Sequence, residues 1–262
     1  MAERFPHPRW LMAQIASIPN PTPDIASARE SFRAFLDTCK HNEKLVCLHD
    51  SDADGVTAGV LWQRALERLG YKNLVRLAPD RERNAWTQSN RKTLAGFQPA
   101  KLFVLDLGAQ PHQVLEGVPT CFIDHHRPEG VHAQDTLITA YSWEPIPNTS
   151  LLIYDLCQGL VELSDLEWVA AIGTLSDLGE KAPFEILARA KKTHTAKYLK
   201  EATVLVNAPR RAADYNPEAA ARALLNHKSP RELVESSSQD VQVLVAARAS
   251  VKQELVGHLL CS

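Results

Sequence analysis

The sequence predicts an α/β fold, a parallel sheet covered by helices on both faces and followed by a helical C-terminal segment. Short apolar runs alternate with stretches of helical spacing. The runs are continuously apolar rather than alternating, as strands buried on both faces require. After Thr149 the apolar spacing becomes helical to the end of the chain.

In chain order, residues 1–25 are rich in Pro and Ala. Ala26 to Cys39 has helical spacing, with Phe32, Phe35 and Leu36 on one side. Leu45-Val46-Cys47-Leu48 is a short strand that runs into an acidic turn containing Gly55. Val56 to Leu69 is helical, with Leu61, Ala65 and Leu69 at four-residue spacing. Val75 to Leu77 is a strand. Lys101 to Leu105 is another, ending at Asp106, and Thr120 to Ile123 a third, ending at Asp124. Helices are expected over Leu151–Leu163, Leu166–Leu175, Phe184–Leu199 and Pro217–Asn226, the last opened by a favourable first-turn proline. One long helix is expected from Pro230 to about Leu260. There is no internal repeat. The expected division is an N-terminal helical extension (1–40), an α/β domain (41–182), and a helical segment (183–262).

Composition narrows the function classes. Apolar residues make up 45% of 262, enough for a packed core without disulfides, and the formal net charge is −2. Any nucleic-acid partner must therefore be held by local basic patches. The odd cysteine count (Cys39, Cys47, Cys121, Cys157, Cys261) contains no CxxC and reads as reduced core residues of a cytoplasmic protein. Met1 to Pro6 lacks the apolar region of a signal peptide, and no apolar run is long enough to span a membrane.

Chemistry gathers at the strand ends, where ligands of such sheets collect. Asp50-Ser51-Asp52-Ala53-Asp54-Gly55 places carboxylates at alternate positions directly after an apolar strand. Unpaired like charges there repel, and a divalent cation offsets that repulsion. An EF-hand loop also begins this way, but it needs a bidentate Glu at its twelfth position, which here is Leu61, and a preceding helix, which here is a strand. Oxygen ligands favour Mg²⁺ or Mn²⁺. A helix starting near Val56 would also direct its N-terminus toward bound phosphate.

Asp106 alone would be a turn residue. Asp124-His125-His126 adds imidazoles, which bind Mn²⁺, Fe²⁺ or Zn²⁺ well. Together the elements suggest a mixed carboxylate–imidazole site suited to two ions, with Asp124 as ligand or as the group that orients an imidazole. Asp177 in Gly173-Thr174-Leu175-Ser176-Asp177 ends an apolar helical run and fits a bridging carboxylate.

These elements, in this order, resemble the motifs of the DHH phosphoesterase superfamily over about residues 44–180: Asp50 to Gly55, Val104-Leu105-Asp106-Leu107-Gly108, Ile123 to His126, and Gly173 to Asp177. Asp54 is similar to the third carboxylate of the RecJ-like exonuclease branch. The pyrophosphatase and nano-RNase branches place a His four residues before the first Asp, where this chain has Val46, with His49 adjacent to Asp50 instead. Asn207-Ala208-Pro209-Arg210-Arg211 resembles the Asn-Ala-x-x-Arg segment of RecJ-like proteins, and the helix from Pro230 resembles their connector. The chain departs from them at Arg81-Glu82-Arg83-Asn84-Ala85-Trp86, where a Gly-Tyr-Gly segment is common. It also ends at Ser262 without the family's glycine-rich C-terminal domain, which reads as a fragment or a short member with altered grip on substrate.

The resemblance implies a metal-dependent phosphoesterase. Mn²⁺ or Mg²⁺, as two ions, would be held by Asp50, Asp52, Asp54, Asp106, His125 and Asp177. His126 would contact the scissile phosphate or serve as a ligand. The implied substrate is single-stranded DNA or RNA cut from the 5′ end into 5′-mononucleotides, in a repair setting, with replication or repair proteins as partners. Arg127, Arg210 and Arg211 are the foremost phosphate contacts, with Arg81, Arg83, Arg91 and Lys92 behind them, and Trp86 is a base-stacking candidate more commonly found in core packing. The alternatives are a small-substrate phosphatase or phosphodiesterase (oligoribonucleotides, cyclic dinucleotides or 3′-phosphoadenosine 5′-phosphate) and an inactive replication scaffold, which would lack metal ligands.

Overall fold

The computed structural model describes residues 22–260, with side chains to residue 253. Cys261 and most of the Pro- and Ala-rich N-terminal stretch lie outside them. The chain forms a five-stranded sheet of order β2-β1-β3-β4-β5, all parallel. The strands are β1 (Leu45–His49), β2 (Leu74–Leu77), β3 (Lys101–Leu105), β4 (Thr120–Asp124) and β5 (Thr136–Thr139). The helices are α1 (Ile25–Asp37), α2 (Ala53–Arg68), α3 (Gln88–Gly96), α4 (Thr149–Gln158), α5 (Glu167–Leu178), α6 (Glu185–His194), α7 (Ala196–Asn207), α8 (Pro217–Asn226), α9 (Pro230–Glu235) and α10 (Gln239–Leu260).

The continuous apolar strands have the expected consequence. Leu45, Cys47, Phe103, Leu105, Cys121 and Ile123 face a large core shared with α1, α2, α4 and α5. Val46, Leu48, Leu102, Val104 and Phe122, the alternate positions, face a smaller core closed by Leu94 of α3 and by Ala85, Ala109 and Val114. Trp62 and Phe35 pack on Phe103, with ring centroids 5.2 Å away in each case. Each such buried ring contributes roughly 2–3 kcal/mol through burial. Cys39, Cys47, Cys121 and Cys157 are buried free thiols whose pKa values burial pushes up. No helix of the described residues is long and apolar enough to cross a membrane.

Parallel pairing sets the strand ends level. His49 pairs with Leu105, and Leu105 with Ile123. The residues that follow, Asp50, Asp106 and Asp124, therefore sit side by side, with Asp50 N–H donating to Leu105 O (3.0 Å) and Asp106 N–H to Ile123 O (3.2 Å).

Several boundaries differ from expectation. The second helix begins at Ala53 rather than Val56, because Asp52 is its N-cap and accepts from Gly55 N–H at 3.1 Å. The fourth helix ends at Gln158 rather than Leu163, at Gly159. Asp124 is the last residue of its strand, and Asp177 lies in the last turn of α5. The single helix expected over Phe184–Leu199 is two, broken at Thr195, whose φ of 63° is costly for a β-branched residue. The long helix expected from Pro230 is also two. Ser236-Ser237-Ser238 interrupts it, and serine hydroxyls compete with helical bonds for backbone groups. Both α3 and β5 escaped the sequence reading.

Candidate metal centre

Helix α2 starts at the sheet's carboxyl edge, so its first turn carries Asp54 over the strand ends. Asp54 is buried and does not face outward from a turn. Its carboxylate accepts from Asn148 Nδ2 (2.5 Å), Thr149 N (3.0 Å) and Ser150 N (2.7 Å). Asn148 is the N-cap of α4 but makes no side-chain capping bond; Asp54 supplies the anion at that helix N-terminus instead. Thr149 Oγ1 donates to Asp106 Oδ1 at 2.9 Å. Asp106 has a left-handed backbone (φ 63°), a conformation that Asp tolerates better than most residues. The next turn brings Gly108 N–H to Asp124 Oδ2 at 2.6 Å.

His125 lies at the centre of this group. Its Nε2 is 3.4 Å from Asp106 Oδ1, 3.7 Å from Asp54 Oδ2 and 3.8 Å from Asp177 Oδ2. That nitrogen is buried and makes no hydrogen bond. An unpaired buried polar atom is costly, and one ringed by carboxylate oxygens could serve as a metal ligand. Burial, then the neighbouring His126, lowers its pKa, which favours the neutral, ligating form. Burial raises Asp54 and Asp106 well above the usual carboxylate range, and mutual repulsion adds to it, from Asp177 on Asp54 and from Asp54 on Asp106. A divalent cation would relieve both effects.

His126 is exposed, and its N–H and Nδ1 both reach Asp124 Oδ1 at 2.8 Å. Burial acts to raise Asp124, but the bonds from His126 and Gly108 outweigh it and hold the carboxylate low; the same pairing raises His126. Asp124 thus orients the second imidazole while remaining within ligand range of Asp106, His125 and His126. Two further groups are close enough to hold an ion, Asp54 with His125 and Asp177, and Asp50 with Asp52 and Asp106; all these ligand atoms lie within 4.8 Å of one another in their groups. The oxygen donors fit Mn²⁺ or Mg²⁺, and the imidazole among them favours Mn²⁺ over Mg²⁺.

The first two carboxylates of the acidic turn are differently placed. Asp50 accepts a fork from Arg83, Nε to Oδ1 at 2.7 Å and Nη2 to Oδ2, and Ser51 N–H adds a bond at 2.6 Å. Asp52 Oδ2 takes Arg83 Nη2 at 3.1 Å and Arg210 Nη1 at 3.3 Å. Behind them, His49 is fully buried and packed into the space left by Gly59, where an added Cβ would lie 2.3 Å from the ring. Its Nδ1 donates to Asp50 O (2.6 Å) and its Nε2 accepts from Arg76 (2.9 Å). Burial and then Arg76 lower it to about 3, so it stays neutral.

The basic residues scatter. Arg210 reaches Asp52. Arg211 is exposed and opens into a hollow of about 190 Å³ with Val204 and Arg248. Arg127 is exposed beside the His pair, and Arg91 and Lys92 are exposed on α3. Arg81 donates to the carbonyls of Ala212 and Ala213 and lies over the Tyr215 ring. Trp86 stacks on Phe122 and donates to His112 O, so its ring serves packing rather than a base. Sequence reasoning missed Asn148, Thr149 and Ser150; a polar residue run after Pro147 looks like a loop, and only the capping geometry reveals it.

The model of the DHH family, N-terminal domain, matches residues 44–179. No curated protein sequence matches the chain. Among solved structures, exonuclease RecJ bound to manganese is 19% identical with a TM-score of 0.65, over 89% of this chain and 69% of that one. RecJ in complex with Mn²⁺ from Thermus thermophilus is 19% identical with a TM-score of 0.63, over 92% of this chain; the chain spans 40% of that protein. A DHH domain described as a member of a family of ribosomal proteins has a TM-score of 0.57 at 16% identity, over 95% of this chain and 62% of its own. At these identities the likeness is one of fold.

Proposed function

The chain belongs to the DHH family, and from that premise we propose that it is a metal-dependent phosphoesterase of RecJ-like type, releasing 5′-mononucleotides from the 5′ end of single-stranded DNA or RNA. One observation carries the reading: His125 Nε2, buried and without a hydrogen bond, faces Asp54, Asp106 and Asp177 at 3.4–3.8 Å. The catalytic domain is residues 41–182, and the segment 183–262 supplies phosphate contacts.

Divalent ions, when bound, acidify water for attack on phosphorus and stabilise charge on the phosphoryl oxygens. The chain's own residues hold and orient. Asp54, Asp106, His125 and Asp177 form the cage. Thr149 fixes the Asp106 carboxylate, and the N-terminus of α4 fixes Asp54. His126, exposed and with its pKa raised by the bond to Asp124, donates to a phosphate oxygen. Arg127 and Arg210 flank the path of the strand, and Arg210 ties the helical segment to the site through Asp52. Asn207 Oδ1, accepting from Ala53 N–H at 3.3 Å, supports the same junction.

The test is Mn²⁺-dependent release of mononucleotides from a 5′-labelled single strand. Asp106→Ala and His125→Ala are expected to lower the rate about a thousandfold or more. Full activity in either would sink the site. Hydrolysis confined to dinucleotides would replace the exonuclease with a small-substrate phosphodiesterase. No hydrolysis of any phosphodiester, with Mn²⁺ bound, would leave a scaffold.

A further inference from the structure

We infer that Arg83 is a resident cation that closes the Asp50–Asp52 pair to a divalent ion, so that the free chain takes one ion tightly, at His125, and a second only by displacing the guanidinium. The inference rests on the metal-centre reading above. Asp50 is 5% exposed and both its oxygens are engaged by Arg83. Asp52 commits Oδ1 to the start of α2 and Oδ2 to Arg83 and Arg210. Two carboxylates thus meet two guanidinium groups, and a divalent ion placed between them would face both positive charges. A fork-shaped guanidinium matches a carboxylate better than an ammonium does, so the pair is specific to arginine.

Arg83 is delivered to this place by an ordered loop. Its own φ of 51° is the left-handed region, unusual outside glycine, and its N–H donates to Asp80 O at 3.0 Å. Asp80 gathers the turn, accepting from Glu82 N–H (3.1 Å), Asn90 Nδ2 (3.2 Å) and Thr87 Oγ1 (3.2 Å). The Tyr215 hydroxyl donates to Pro79 O at 2.9 Å, fastening the loop to the helical segment. On the other side of the centre, Asp54 and Asp177 have His125 as their salt-bridge partner among the described residues, and Asp106 has the two histidines; none of the three forms a salt bridge with a described lysine or arginine.

The experiment is Mn²⁺ titration of the full metal-free chain, followed by calorimetry and by electron paramagnetic resonance. Wild type is expected to bind one ion tightly, with the hyperfine signal of isolated Mn²⁺, and a second on the order of tenfold or more weaker. In Arg83→Gln the second ion should tighten by at least about tenfold and the signal should become that of a spin-coupled pair. Arg83→Lys, which keeps the charge and loses the fork, should fall between, and it serves if the glutamine variant does not fold. Two ions of like affinity in wild type, or a second ion unaffected by either substitution, overturn the inference while leaving the metal centre standing. No ion bound by wild type or by the variants overturns both.

Discussion

Asp50 and Asp52 lie on one side of the acidic centre and Asp54 and Asp177 on the other, with Asp106 within ligand range of both. The residue types are nearly the same, yet their surroundings are opposite. The first pair is neutralised by Arg83 and Arg210. The second group gathers its charge around a histidine nitrogen that has no hydrogen bond. The chain's own cations complete one side, and the other needs a cation from outside. The difference teaches that an acidic cluster is read as a metal site by its unmet charge, not by its number of carboxylates.

His49 on the one side and Asp54 and Asp106 on the other should answer pH in opposite senses, which is the largest effect expected in the metal-free protein. Behind the compensated side, His49 has a folded pKa of about 3, below its unfolded value. Its contribution is fully present above pH ~6.5 and is lost as pH falls toward about 3, with an upper bound of roughly 4–5 kcal/mol. On the other side, Asp54 and Asp106 are raised, so the folded state holds protons that the unfolded state has lost. Their repulsion destabilises the metal-free fold at neutral pH and is relieved as pH falls through their raised pKa values, so acidification there stabilises. Proton NMR of the histidine rings, with urea melts from about pH 4 to 8, tests the pair. A His49 ring that titrates near neutrality would break the comparison.

Packing provides the next test. Gly173 of α5 approaches Thr57 of α2 and Ser150 of α4 so closely that an added Cβ would lie 2.4 Å from Thr57 Oγ1 and 2.5 Å from Ser150 Cβ. These helices deliver Asp177, Asp54 and the donors to Asp54. Gly173→Ala should cost about 1–3 kcal/mol by overpacking and weaken Mn²⁺ binding as well. An unchanged urea midpoint would show that the close approach is not needed.

The smallest effect separates the sides by charge alone. Asp106→Asn should raise the thermal stability of the metal-free chain by ~1 kcal/mol, because it removes one repelling charge and asparagine suits the left-handed backbone. Asp50→Asn should lower it by ~1 kcal/mol, because it strands Arg83; that side chain is 40% exposed, so solvent screens the loss. Calorimetric melting in chelator checks both. Shifts of the same sign would undo the distinction.

The sheet and most of the residues that it gathers at the candidate site were legible in the sequence for a simple reason. A strand buried on both faces leaves a continuous apolar run, and a parallel register brings the residue after each run to one edge. Lys101 to Leu105 and Thr120 to Ile123 announce Asp106 and Asp124 in this way, and Leu45 to Leu48 announces Asp50 one residue further on, after His49. What stayed hidden depends on distance along the chain. Arg83 meets Asp50 across 33 positions, from a loop without periodicity. Asn148, Thr149 and Ser150 meet Asp54 across 94 to 96. Thr195 and the serines at 236–238 broke helices that apolar spacing alone would have continued, because spacing reports which face is buried and not whether the backbone runs on.

Asp54 closes off the N-terminus of α4 with bonds to the Asn148 amide and to two backbone N–H groups. A carboxylate clamped there cannot swing to suit whatever ion arrives. Its rotamer is lost when the chain folds, so binding an ion does not repeat the loss of ~0.5–1.5 kcal/mol that ordering a free side chain carries. A cage built on it would behave as a rigid chelator with a preset opening. Ions whose oxygen ligands sit near about 2.0–2.1 Å, such as Mg²⁺, need a tighter cage than Ca²⁺ at about 2.3–2.6 Å. With Asp54 held by a helix, discrimination by ionic radius is built into the backbone.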